Sequence, residues 1–304
     1  MKRISILLIA CIATGSMAFA QQDPLYSQYL NNPFVLNPAY TGLTNNLDAS
    51  VSYRQQWAGF EGSPTTINAN GHISLKDNSM GAGLMIISDK IGATTVNEIY
   101  GSYAYRISVA SGKTLAFGLQ AGLVNFKTEN SELTLMDSND PSFIGGTSES
   151  KPSIGAGLIL TSDKFFIGLS VPRMLKVKTN VDGSDLTAYT QHVYAMGSYI
   201  FFVSDRLRFR PSVLAKLVSG APASIDLNAA LILHEKYTAG ILTRNFSTYG
   251  IFLQAMIKDS FRFGYAMEVP TNKSVGTQFT THEITLGLRL KVLQFHSDIG
   301  VMSY

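Results

Sequence analysis

Beyond residue 20, this 304-residue chain alternates apolar and polar residues with a period of two, in segment after segment. It nowhere offers the ~20 consecutive apolar residues that a spanning helix needs. In Thr65–Leu75, Ile67, Ala69, Gly71, Ile73 and Leu75 share one face, while Thr66, Asn68, Asn70, His72 and Ser74 share the other. Leu207–Val218, Ala223–Leu233 and Glu283–Leu290 repeat the pattern. Weaker versions occur in Ala49–Trp57, Met80–Ser88, Val96–Ile107, Leu115–Phe126, Ser153–Thr161, Phe165–Val171, Gln191–Val203, Tyr237–Asn245, Tyr249–Ile257 and Phe261–Glu268. Period two means strands with one apolar face. The reading is all-β, with about fourteen strands and a range of twelve to sixteen.

The connections say how the strands are arranged. Those after strands two, four, six, eight, ten and twelve are short and rich in turn residues, as in Lys76-Asp77-Asn78 and Lys258-Asp259-Ser260. Those after odd-numbered strands are longer on average, notably Lys127–Lys151, Pro172–Thr190 and Val269–His282. The first of these carries Glu129, Glu132, Asp137, Asp140 and Glu149, an acidic outer loop. Long–short alternation is the habit of a transmembrane antiparallel β-barrel, with short periplasmic turns and longer outer loops. A soluble sandwich has no reason to favour every second connection. Tyr53, Trp57, Tyr100, Tyr199, Tyr237 and Tyr249 fall near strand ends, where interfacial girdles sit. Glycines recur inside strands, among them Gly81, Gly83, Gly118, Gly157 and Gly168, marking bends or a crowded lumen.

Residues 1–20 read as a signal peptide. Met1-Lys2-Arg3 is the positive start, Ile4–Ala13 the apolar stretch, and Ala18-Phe19-Ala20 the cleavage site. Leu8-Ile9-Ala10-Cys11 also looks like a lipobox, but it leaves too short a leader. Cys11 is the one cysteine, so the chain after the leader offers no disulfide and no thiolate. Charged residues make up 15%, against about 25% in a typical soluble domain. The net charge is +3, with two cations in the leader, which argues against an electrostatic nucleic-acid binder. Residues 21–47, rich in Asn, Pro and Tyr, precede the first strand as a periplasmic N-terminal segment or a plug of the lumen. Residues 48–304 form the barrel. The tail Lys291–Tyr304 leaves open whether the last strand ends at Leu290 or later.

Short motifs in order along the chain resemble a known family. Gln22-Asp23-Pro24-Leu25-Tyr26-Ser27-Gln28-Tyr29 leads to Asn32-Pro33 and Asn37-Pro38-Ala39-Tyr40-Thr41-Gly42. Then come Arg54-Gln55-Gln56-Trp57-Ala58-Gly59-Phe60, Arg210-Pro211-Ser212-Val213-Leu214, Asp226-Leu227-Asn228 and His282-Glu283-Ile284. Spread over about residues 22–290, these resemble the PorP/SprF family of type IX secretion outer-membrane proteins. The resemblance implies an outer-membrane barrel of a Gram-negative bacterium, surrounded by lipid. It implies association with type IX secretion or gliding components, a surface adhesin, or a peptidoglycan-binding periplasmic protein. It carries over no catalytic residue.

No motif points to chemistry. His72, His192, His234, His282 and His296 lack metal-ligand spacing, and no G-x-S-x-G elbow occurs. The chain reads as a non-enzyme with no cofactor and no metal. Tyr26, Tyr29, Asn32, Pro33, Asn37, Pro38, Tyr40, Arg54, Gln56 and Trp57 are the candidate partner contacts, because prolines exclude a strand and the aromatics would be wasted in a spacer. His72, Arg208, Arg210, Lys216, Asp226, Asn228 and Glu283 are candidate lumen-lining residues, since charge is tolerated inside a barrel and costly on its lipid face. Arg208, Arg210 and Lys216 read as solvated residues balanced by Asp226, Glu268 and Glu283. The rival function is a passive or solute-specific channel of the porin or fatty-acid-transporter kind.

Overall fold

The structure is a computed structural model that describes residues 26, 27, 29, 31–129, 146–175, 177–181, 184–271 and 277–293, with the backbone alone for 177–181 and 184–189. Strands dominate: β1 Leu47–Gln55, β2 Thr65–Leu75, β3 Met80–Ile91, β4 Thr94–Ala110, β5 Lys113–Glu129, β6 Gly146–Ser162, β7 Phe165–Val171, β8 Val177–Val181, β9 Ser184–Tyr189, β10 His192–Tyr199, β11 Phe201–Phe202, β12 Leu207–Val218, β13 Ser224–Leu233, β14 Tyr237–Arg244, β15 Thr248–Ile257, β16 Phe261–Pro270 and β17 Thr281–Leu290. β8 and β9 form a separate hairpin, and β11 continues β10 along β12. The remaining strands make a closed antiparallel ring of fourteen staves. The seam joins β1 to β17 along all nine residues of β1, from Leu47↔Leu290 to Gln55↔His282. Closure at β17 makes a later final strand unnecessary; residues 294–304 lie outside the described set.

The faces are sorted oppositely to those of a soluble domain. Ile67, Leu119, Ile167, Leu253 and Leu286 point outward and are roughly half exposed, while Thr66, Asn68, His72, Gln120, Gln254 and Glu283 are buried inside. An apolar exterior over a polar interior suits hydrocarbon as the outer solvent, and a closed ring leaves no edge unpaired in it. Tyr53, Tyr199, Tyr237 and Tyr249 face outward as girdle residues. Tyr100 does not: it is 1% exposed and its hydroxyl donates to Glu98 inside the ring.

The short turns have a local cause. His234–Glu235 and Lys258–Asp259 have positive φ, and the turns close through Lys236 N–H to Leu233 O and Ser260 N–H to Ile257 O. Two left-handed residues in a row twist a turn to match paired strands. Long connections alternate less strictly than expected. Only Gly92 and Ala93 separate β3 from β4, and 219–223 and 245–247 are short. The acidic loop is also smaller than its expected span, because β5 runs to Glu129 and β6 starts at Gly146; residues 130–145 lie outside the described set.

Candidate functional site inside the barrel

The described residues from Tyr26 to Asn46 lie inside the ring, with Phe34, Asn37, Ala39 and Thr41 fully buried. Two 3₁₀ turns shape this stretch, Pro33–Val35 and Pro38–Tyr40. Each starts with proline, whose fixed φ suits a first helical position and whose missing N–H costs nothing there. The side-chain oxygen of Asn37 caps the second turn by accepting from Ala39 N–H at 2.9 Å.

Glycines on the inner faces make room for it. A Cβ on Gly118 would stand 2.1 Å from Ala39 N and 2.2 Å from Pro38 C, and one on Gly81 would stand 2.1 Å from Thr41 O. At Gly157 it would meet Asn37 Oδ1 at 2.0 Å, and at Gly83 the Phe34 ring at 2.9 Å. The strand glycines therefore mark a crowded lumen. Around this cradle Phe34, Val35, Leu36, Tyr40 and Leu43 pack against Met85, Tyr100, Ile159, Phe166, Tyr194, Met196 and Leu214. One side of the lumen is thus apolar.

Hydrogen bonds fix the segment to staves all round the ring. Asn37 Nδ2 donates to Leu158 O at 3.1 Å and Leu169 O at 3.2 Å. Ser170 Oγ donates to Leu36 O, Arg106 Nη1 to Thr41 O, and Gly42 N–H to His72 Nδ1. Asn32 Nδ2 reaches Ser50 and Asn70, Arg210 Nη2 donates to Asn31 Oδ1, and Asn228 Nδ2 to Tyr29 OH.

The other side of the lumen is ionic. Arg54 Nη2 lies 2.9 Å from Glu268 Oε2, and Arg54 Nη1 lies 3.4 Å from Glu283 Oε2. Ser27 joins this group: its Oγ accepts from Arg54 and donates to Glu268, and its N–H donates to Glu283. Arg244 continues the chain to Asp226 at 2.9 Å and Glu268 at 3.4 Å. Asp48 separately holds Arg262 at 3.0 Å and Arg289 at 2.9 Å, tying β1 to β16 and β17. Replacing Asp48 by asparagine is expected to lower stability by about 2 kcal/mol, the scale of a charge-assisted hydrogen bond. The check is the urea midpoint of the refolded barrel in lipid vesicles, and an unchanged midpoint would contradict it.

The expected partner contacts fall into two groups. Tyr26, Tyr29, Asn32, Pro33, Asn37, Pro38, Tyr40 and Arg54 touch the barrel's own interior. Gln56 and Trp57 lie in the β1–β2 loop, where Gln56 N–H donates to Pro64 O and Trp57 N–H to Thr281 Oγ1. Trp57 adopts φ of 57°, an uncommon value for a bulky residue. Phe60 packs edge-on against Phe279 in the neighbouring loop.

Of the expected lumen residues, His72, Arg210, Lys216, Asp226, Asn228 and Glu283 are buried within the ring. Arg208 sits near the short-turn end, paired with Glu235 and stacked over Phe202. The expected balance of charges differs. Glu268 and Glu283 face Arg54, and Asp226 faces Arg244, while Arg210 and Lys216 are buried, not solvated. Sequence reasoning missed Ser27 and Arg244 in the Arg54 network, the Asp48–Arg262–Arg289 group, and Arg106. Strand parity was the available signal, because Arg262, Glu268, Glu283 and Arg289 all fall on inward positions.

An apolar belt, a closed ring of fourteen staves and a buried charged interior define an outer-membrane β-barrel, and the protein resides in the outer membrane of a Gram-negative bacterium. The chain belongs to the PorP/SprF family of type IX secretion system membrane proteins, whose pattern matches residues 18–288. No curated protein matches it. Among solved structures it is similar to the CymD monoaromatic hydrocarbon channel, at 12% identity over 87% of this chain and 92% of that one, with a TM-score of 0.51. It also matches the outer membrane protein Omp33 of Acinetobacter baumannii (9% identity, 82% and 100% covered, TM-score 0.49) and a Pseudomonas aeruginosa FadL homologue (10%, 92% and 96%, 0.49). At such identities the likeness speaks to fold alone.

Proposed function

We propose that this barrel is a closed, non-enzymatic component of the type IX secretion and gliding machinery. It supports secretion or surface attachment of a large adhesin, or couples to a peptidoglycan-binding periplasmic partner, and does not conduct solutes. One observation carries the reading against a channel: the chain's own residues 31–46 pack the lumen, held by inner-face glycines and hydrogen bonds to opposite walls. A conducting pore needs a wet path between binding groups. Here His72, Arg210, Asn228 and Glu283, four of the candidate lining residues, bond to the segment.

Conductance in a planar bilayer tests closure. The purified barrel is expected to give no steady conductance at a voltage and protein dose where a general porin gives stable steps. Steady open channels from the unmodified protein would restore the transport reading. Affinity capture from detergent-solubilised outer membrane tests the secretion role. Recovery of a giant surface adhesin or of type IX components supports it, and a reproducibly partner-free barrel counts against it.

A further inference from the structure

We propose that Arg106 and the β2–β3 turn form a clasp on the luminal segment, so that reshaping this exposed turn from the periplasm frees Thr41–Asn46 while the outward part of the segment stays in place. The device needs a packed lumen and no particular secretion partner.

The two ends of the segment are held by different chemistry. Ser27 sits in the ionic group of Arg54, Glu268 and Glu283, and Arg54 lies one residue from the outward end of β1. Asn31, Asn32 and Asn37 fix the middle to Arg210, to Ser50 and Asn70, and to the carbonyls of Leu158 and Leu169. At the short-turn end, which barrels place in the periplasm, a single guanidinium spans segment and turn. Arg106 Nη1 donates to Thr41 O at 2.9 Å. Its other donors grip the turn between β2 and β3: Nε reaches Asn78 O, and Nη2 reaches Met80 O and Ser74 Oγ. The main-chain N–H of Arg106 donates to Ser79 O at 2.8 Å. Arg106 is buried, and no carboxylate among the described residues pairs with it. A buried cation whose acceptors are all neutral depends on every one of them being in place.

The turn itself is held in an unfavourable conformation. Lys76, Asp77 and Asn78 have φ of 46°, 51° and 61°, three left-handed residues in succession and none of them glycine. The turns at His234–Glu235 and Lys258–Asp259 have two each. Left-handed backbone is disfavoured for L-residues and persists where its surroundings over-determine it. Here the surroundings are Arg106, the bond from Ser74 Oγ to Asn78 Oδ1 at 2.8 Å, and that from Ser79 N–H to Lys76 O at 3.0 Å. The same Ser74 donates its N–H to Asn46 O, and Gly42 lies against Ser74 and Gly81. Lys76 and Asp77 are exposed. The turn can therefore be reached from outside the barrel, while its inner side touches the end of the segment through Arg106 and Ser74. Relaxing the turn to ordinary backbone withdraws Asn78 O and Met80 O from Arg106, and the guanidinium can no longer hold Thr41 in its present place.

Hydrogen exchange of the full barrel refolded in lipid vesicles, read by peptide mass spectrometry, tests the clasp. The reporters are amides bonded inside the lumen. Gly42 N–H to His72 Nδ1 and Leu43 N–H to Tyr40 O report the clasped end, and Leu36 and Asn37 N–H to Pro33 O report the middle. Asp77→Pro abolishes the left-handed turn at a residue whose side chain is exposed, because proline fixes φ at about −65°. It is expected to speed exchange in residues 41–46 about tenfold or more, the scale of one lost charge-assisted hydrogen bond, with residues 31–37 within about twofold of the unmodified barrel. Asp259→Pro reshapes another short turn in the same way and is expected to leave both stretches unchanged. Folding is checked by heat-modifiable gel mobility. Arg106→Lys serves beside the proline variant, because one ammonium cannot span the acceptors on turn and segment together, and it should speed the same six residues. Exchange in 41–46 that is no faster with Asp77→Pro than with Asp259→Pro would overturn the proposal. So would an Arg106→Lys barrel in which 31–37 loosens as much as 41–46, since Arg106 would then support the whole segment. Segment amides that exchange freely in the unmodified barrel would remove the packed lumen, and the clasp with it.

Discussion

Replacing Arg54 by alanine is expected to cost about 3–5 kcal/mol, the usual penalty for removing one member of a buried ion pair. Arg54 is 2% exposed and stands between Glu268 and Glu283, so the substitution leaves two buried carboxylates without their shared cation. Ser27 loses a donor in the same step, which loosens the outward end of the luminal segment. The readouts are the unfolding midpoint in lipid vesicles and the fraction of heat-modifiable folded barrel. Adding Glu268→Gln and Glu283→Gln to Arg54→Ala should recover part of the loss, because neutral amides are cheaper to bury unpaired than carboxylates. If the triple variant is as damaged as the losses added separately, the charge account is wrong and lost packing is the cause.

Gly118→Val is expected to convert the closed barrel into a conducting one. Overpacking a core costs about 1–3 kcal/mol when neighbouring side chains can move aside. Here the new Cβ would lie about 2 Å from main-chain atoms of Pro38 and Ala39, which have no rotamer to change. Valine suits a strand, so the wall is expected to survive while the segment is displaced. The measurement is single-channel conductance, beside the closed wild type. Gly101→Val is the control, since its Cβ would meet nothing nearer than Ala121 O at 4.0 Å. A Gly118→Val barrel as silent and stable as the wild type would remove the case for a tight cradle.

The ring of staves was legible because hydrocarbon imposes a strict rule on each strand. Ile225, Leu227, Leu231 and Leu233 must face out, leaving Ser224, Asp226 and Asn228 inside. The rule lapses outside the membrane, and there the reading lost detail. β6 begins seven residues earlier than its alternating part, because Glu149, Ser150 and Lys151 have water on both faces and pair without a hydropathy pattern. The hairpin β8–β9 falls within Pro172–Thr190, which the sequence reads as one long connection. Within the lumen, proline spacing marked residues 32–38 as something other than strand, and strand parity marked most of the charges. The pairing of those charges was not legible. It depends on which staves become neighbours across the β1–β17 seam and on Ser27, a residue with no pattern of its own.

The luminal segment also measures the ring that encloses it. It touches β6 and β7 through Asn37, β12 through Asn31, β13 through Tyr29, β1 and β2 through Asn32, and β16 and β17 through Ser27. A ring one stave wider would pull these anchors apart, and a narrower one would drive Ala39 into Gly118. The stretch ahead of the first strand thus acts as a gauge of girth, satisfied only when the last strand has closed the ring.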